Sequence, residues 1–88
     1  MLKPALFGLM AAVASVAAFA SADCVKHPQN EQIAPAKFQQ QLQDQGYQIK
    51  KFKTSGNCYE IYGKNKQGQK VEIYFDTKTG SIVKSETD

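Results

Sequence analysis

Between Asn57 and Ser81 the chain reads NCYEIYGKNKQGQKVEIYFDTKTGS, and this stretch leaves little freedom about what it can fold into. Apolar residues fall on alternate positions at Tyr59 and Ile61, and again at Val71, Ile73 and Phe75. Two polar segments ending in glycine, Asn65 to Gly68 and Asp76 to Gly80, punctuate the run. A period of two broken by glycine turns reads as strand, tight turn, strand, tight turn.

The register follows on paper. With Lys66, Gln67 and Gly68 as a three-residue loop and Gly68 left-handed, Asn65 faces Gln69, and the pairs beyond are Gly63 with Val71, Ile61 with Ile73 and Tyr59 with Phe75. All three land on one face. A slip of one residue sets Ile61 against Glu72 or Tyr74 and destroys the match. The opposite face carries Cys58, Glu60, Tyr62, Lys64, Lys70, Glu72, Tyr74 and Asp76.

The chain begins with Lys3, an apolar stretch from Ala5 to Ala20, and Ala20-Ser21-Ala22 before the charged Asp23. This is the form of a secretory signal peptide over residues 1–22 with an Ala-x-Ala cleavage site. The apolar run is alanine-rich and short for a membrane span of about 20 residues. Lipidation of Cys24 is disfavoured because Asp23 separates it from the small residues. Cleavage leaves 66 residues with ten lysines against eight acids, a charge of about +2. The division is a leader at 1–22, an N-terminal arm at 23–33 and one domain at 34–88, with a periplasmic or secreted destination and no membrane attachment after cleavage. A chain this short buries only about 60% of its unfolded surface, so a covalent staple matters. Cys24 and Cys58, an even count in an exported domain, read as a disulfide worth roughly 4 kcal/mol for a loop of this length.

Other readings of these residues are weaker. Cys24 and His27 have a C-x2-H spacing that Cys58 could join as a metal site, but a fourth ligand is missing and exported thiols oxidise. No metal or cofactor is expected. Lys50, Lys51 and Lys53 form the densest basic patch; at this net charge and destination they read as protection of a sheet edge, not as a nucleic-acid site.

Pro35 opens a helix of about Pro35 to Gln45, with Phe38 and Leu42 on one narrow apolar stripe and Gly46 as the stop. The glutamine run Gln39 to Gln41 reads as solvated helix. Tyr47 to Thr54 is the first strand, with a phase change near Lys50 and Lys51 that calls for a bulge. After the hairpin, a Lys78-Thr79-Gly80 loop would set Thr77 against Ser81 and Val83 against Phe75, giving a last strand around Ser81 to Lys84 and a frayed tail from Ser85 to Asp88. The expected fold class is α+β, one helix packed on a four-stranded antiparallel sheet. Its core is Phe38 and Leu42 over Tyr47, Ile49, Tyr59, Ile61, Val71, Ile73, Phe75 and Val83.

The order of Gln45-Gly46-Tyr47, Gly56-Asn57-Cys58-Tyr59-Glu60-Ile61-Tyr62, Gly68, Lys70 to Asp76 and Thr79-Gly80 resembles small exported bacterial PepSY domain proteins, over about Phe38 to Lys84. The resemblance implies a PepSY fold and a non-enzymatic role. PepSY modules occur in propeptides of secreted metallopeptidases, where they inhibit or modulate the peptidase. The family offers no catalytic residues to carry over.

A search for chemistry from the residues agrees. There is no nucleophile with a plausible base once Cys58 is oxidised, no phosphate loop, and one histidine. Glu60 and Glu72 lie diagonally on the outer face, opposite Tyr74 and Tyr62; on an open face beside lysines this reads as cross-strand pairing before acid–base work. No catalytic residue is assigned. The expected function is that of a module binding, and modulating or inhibiting, another exported protein such as a peptidase. Its binding residues would be Tyr62 and Tyr74, with Phe52 and Ile82 beside them, ringed by Glu60, Glu72, Lys64 and Lys70. A strand edge is a second possible contact. The alternatives are an arm that covers this face, and an accessory role in an exported redox or metal system.

Overall fold

A computed structural model describes residues 22–88; the expected leader lies almost entirely outside them. The elements are a single 3-10 turn at Gln29–Glu31, helix α1 at Pro35–Asp44, and strands β1 at Gln48–Ser55, β2 at Cys58–Lys64, β3 at Lys70–Asp76 and β4 at Ile82–Thr87. The strands form one antiparallel sheet in the order β1-β2-β3-β4, so the α+β meander is the observed architecture.

Helix α1 starts at Pro35, whose missing N–H falls among the donors a first turn leaves unpaired anyway. It ends where Tyr47 N donates to Leu42 O and Gly46 takes a φ of 104°, a conformation that favours glycine. Phe38 and Leu42 are its buried residues. The Phe38 ring meets Phe75 edge-on at 5.0 Å and Tyr59 at 5.5 Å, and Phe52 meets Tyr59 at 5.2 Å. Ile61, Ile73 and Val71 complete the core, with Ile33, Tyr47, Ile49 and Phe52 packed at its margin. Phe52 is therefore an inner-face residue, opposite Ile61, and not part of the outer aromatic surface expected of it.

The central hairpin has the register expected of it: Gly63 faces Val71, Ile61 faces Ile73 and Tyr59 faces Phe75. Asn65 N donates to Gln69 O at 2.9 Å and Gly68 has φ 81°. The bulge also falls where the phase changes, between Ile49 and Lys51.

The last strand differs from expectation. Asp76 N donates to Ser81 O and Gly80 N to Asp76 O, so the loop is Thr77 to Gly80, one residue longer, and Ile82 rather than Val83 faces Phe75. Thr77, expected opposite Ser81, is buried, and its carbonyl accepts from Ile33 N at 2.8 Å. A second bulge then absorbs Val83, leaving it 42% exposed and outside the core. The tail is not frayed, since Ser85, Glu86 and Thr87 pair with Ile73, Glu72 and Val71. The backbone of β3 aims unpaired groups at them, which local sequence cannot reveal.

Candidate functional site

Strand register arranges the outer face in rows. One row runs Lys51, Tyr62, Glu72, Glu86; the next Lys53, Glu60, Tyr74, Lys84; the third Ser55, Cys58, Asp76. The expected binding residues therefore share a face, but they are not equally displayed. Glu60 is 1% exposed and Tyr74 7%, whereas Tyr62 and Glu72 are half-buried and Lys64 and Lys70 are exposed. Of the two tyrosines, only Tyr62 is partly open to a partner.

The middle of the face is a coupled polar cluster. The Tyr74 hydroxyl donates to Glu72 Oε2 at 3.0 Å. Lys53 Nζ stands 3.8 Å from Glu60 Oε1, and Glu60 Oε2 is sealed from solvent with no hydrogen-bond partner among the described residues. Burial, then the neighbouring Glu72 carboxyl, pushes the Glu60 pKa up; the adjacent Glu60 carboxyl, against the opposing effect of burial, holds Glu72 below the usual carboxylate range. The pair's proton affinities are thus driven apart, Glu60 holding its proton more tightly than Glu72. Glu60 and then Glu72 push the Tyr62 phenol up, and burial followed by Glu72 does the same for Tyr74, so both remain hydrogen-bond donors. Lys51 and Lys53 ammonium groups each lie 5.9 Å from the Tyr62 ring centroid. Glu60 is enclosed within this cluster, while Glu72 is half-buried at its edge.

Beside the cluster lies a groove of about 560 Å³ with Gly63 on its wall. Tyr62, Glu72, Lys64 and Lys70 line it, joined by Gln48, Lys50, Glu86 and Asp88. The last four were not anticipated: Lys50 enters through the bulge, and Glu86 and Asp88 through a strand longer than expected. Glu60 and Tyr74 do not line it.

The arm closes the other end of the face. Cys24 and Cys58 are disulfide-bonded, and His27 Nε2 meets Asp76 Oδ2 at 3.0 Å. Asp76 Oδ1 accepts from Thr79 N at 2.9 Å and Lys78 N at 2.8 Å. These contacts, the Thr79 amide first, hold the Asp76 pKa down at about 2 against the opposing effect of burial. One carboxylate thus serves the turn and the arm together. A metal site at Cys24, His27 and Cys58 would need free thiolates, but the sulfurs are bonded to each other and the imidazole is engaged by Asp76. Among the described residues no helix is long and apolar enough to cross a membrane.

The fold and this face define a small disulfide-tied α+β module whose polar groups form a shaped surface, not an enclosed cleft. Over residues 4–86 the chain matches the family described as peptidase propeptide and YPEB domain, PepSY_2, and it belongs to that family. The match starts well ahead of Phe38, where the motif resemblance begins. No curated protein and no solved structure matches the chain significantly. The family points to a propeptide-like or inhibitor-like module associated with peptidases in general, and it agrees with the disulfide in suiting a protein outside the cytoplasm.

Proposed function

We propose that this chain is an exported PepSY module, periplasmic or secreted after loss of residues 1–22, that binds and modulates a peptidase without catalysing a reaction itself. The observation that carries the reading is the groove beside Gly63. It adjoins the half-open ring of Tyr62, and it is bordered by Lys50, Lys64 and Lys70 together with Glu72, Glu86 and Asp88. An aromatic anchor within a rim of both charge signs suits recognition of an extended polypeptide. The family's description as a peptidase propeptide domain supports a peptidase as the class of partner. Tyr74 and Glu60 support the surface from beneath and are not themselves contacts.

Affinity capture from the native exported fraction tests this. The parent protein is expected to retain a peptidase. Tyr62→Ser combined with Lys64→Glu is expected to lose most of that capture while remaining folded at a modestly lower melting temperature, because Tyr62 belongs to the polar cluster but neither side chain belongs to the buried apolar core. Capture that survives in the folded double variant moves the contact elsewhere.

A further inference from the structure

The two edges of the sheet are unlike. The β1 edge is blunted by its bulge and by the exposed Lys50, Lys51 and Lys53, and α1 approaches the sheet most closely on that side. Strand β4 carries no such lysine cluster. Asp88 N donates to Lys70 O at 3.0 Å. By the alternation of an antiparallel ladder, Glu86 and Lys84 also turn their backbone groups toward β3, while Ser85 and Thr87 turn theirs away from the sheet. No strand lies beyond β4 among the described residues. The outward edge thus presents regularly spaced donors and acceptors flanked by small side chains, with Ile82 52% and Val83 42% exposed at its start.

The charges along the edge are self-complementary. Lys84 and Glu86 lie two residues apart on the outer face, 3.5 Å from each other as an ion pair. If a second β4 runs antiparallel with a two-fold axis at Ser85, Ser85 faces Ser85 of the second copy across the closely hydrogen-bonded position. Lys84 then faces Glu86 of the second copy, Glu86 faces its Lys84, and Val83 faces its Thr87. Lys84 and Glu86 each meet an opposite charge, and the outward backbone groups are paired. A two-fold perpendicular to the sheet keeps both helices on one side of a continuous eight-stranded sheet. We propose that β4 is a homodimerisation edge whose occupant is β4 of a second copy in this register. A short edge buries little area, so the dimer is weak and concentration-dependent.

Sedimentation velocity of the full purified chain over a concentration series reads the association directly. The parent is expected to pass from monomer to dimer, with affinity falling severalfold as salt is raised. Ser85→Pro removes an N–H that points away from β3, so the fold and melting temperature are retained while the dimer is lost. Lys84→Glu and Glu86→Lys each set like charges opposite one another twice and should weaken self-association by about 10-fold or more. An equimolar mixture of the two recovers a heterodimer, because two acids then face two lysines. A parent that stays monomeric at every concentration, including one that pairs only with a different protein, overturns the proposal. So does a Ser85→Pro variant that dimerises like the parent, or a mixture of folded charge variants that recovers nothing.

Discussion

Gly63 of β2 is pressed against the backbone of Gln48 where the β1 bulge crosses it, so that a Cβ on Gly63 would collide with the Gln48 carbonyl oxygen. The same glycine lines the groove, so the close approach of two backbones there shapes the candidate site as well as the sheet. Gly63→Ala must separate β1 from β2 or shift the bulge. It is expected to cost about 1 to 3 kcal/mol, as overpacking does, read as a lower denaturation midpoint with an unchanged slope. A variant as stable as the parent would show that the bulge relaxes freely.

Ile73 is 2% exposed and faces the fully buried Ile61. Ile73→Ala is expected to cost about 2 to 5 kcal/mol, close to unfolding for a domain of this size. Thermal melting followed by circular dichroism measures it. A shift of only a degree or two would contradict the assigned face.

Asp76 is 14% exposed on its side chain, and its pKa falls from an ordinary 3.8 to about 2 on folding. A folded value below the unfolded one means that protons bind the unfolded chain more readily. The stabilisation is therefore complete above pH 3.8 and is lost as pH falls through about 2. The difference corresponds to about 2 kcal/mol. Asp76→Asn should be less stable at neutral pH by about that amount and should show a shallower acid loss between pH 4 and 2. An unchanged acid profile would mean that His27, Lys78 and Thr79 do not draw on this carboxylate.

Glu60 carries the opposite sign. Its folded pKa lies above the ordinary 4.5, so the unfolded chain gives up its proton first and this group's contribution declines as pH rises above that value. Glu60→Gln keeps the shape and a donor toward Glu72 while removing the need to hold a proton. The Lys53 contact it loses is long, at 3.8 Å, and involves a 44% exposed lysine, so that loss is small. A gain in stability at neutral pH is expected, with little change near pH 4. Chemical denaturation at the two pH values checks it, and a loss of stability at neutral pH would mean that Glu60 is needed as a charged partner.

The central hairpin was legible because Ile61 and Ile73 tolerate only one register and Gly68 marks the loop that sets it. The last strand was not. Ile82 and Val83 are adjacent and both apolar, so alternation cannot choose between them, and the choice falls to the Asp76 side chain, which stabilises the longer turn. The sequence also placed Glu60, Tyr62, Glu72 and Tyr74 on one face correctly, but treated that face as open. Whether a side chain on a sheet surface is covered depends on the long neighbours that lie across it, here Lys51, Lys53 and Lys84 with the arm beyond, and the bare pattern of alternation carries no record of them.

The most direct measurement is hydrolysis by a peptidase recovered from the exported fraction, followed while the purified module is titrated in. A saturable change in rate that reaches its limit at a fixed stoichiometry is expected, with the module recovered intact by mass and the effect much reduced in the folded Tyr62→Ser, Lys64→Glu variant. No change in rate and no complex at any concentration of the parent would contradict it.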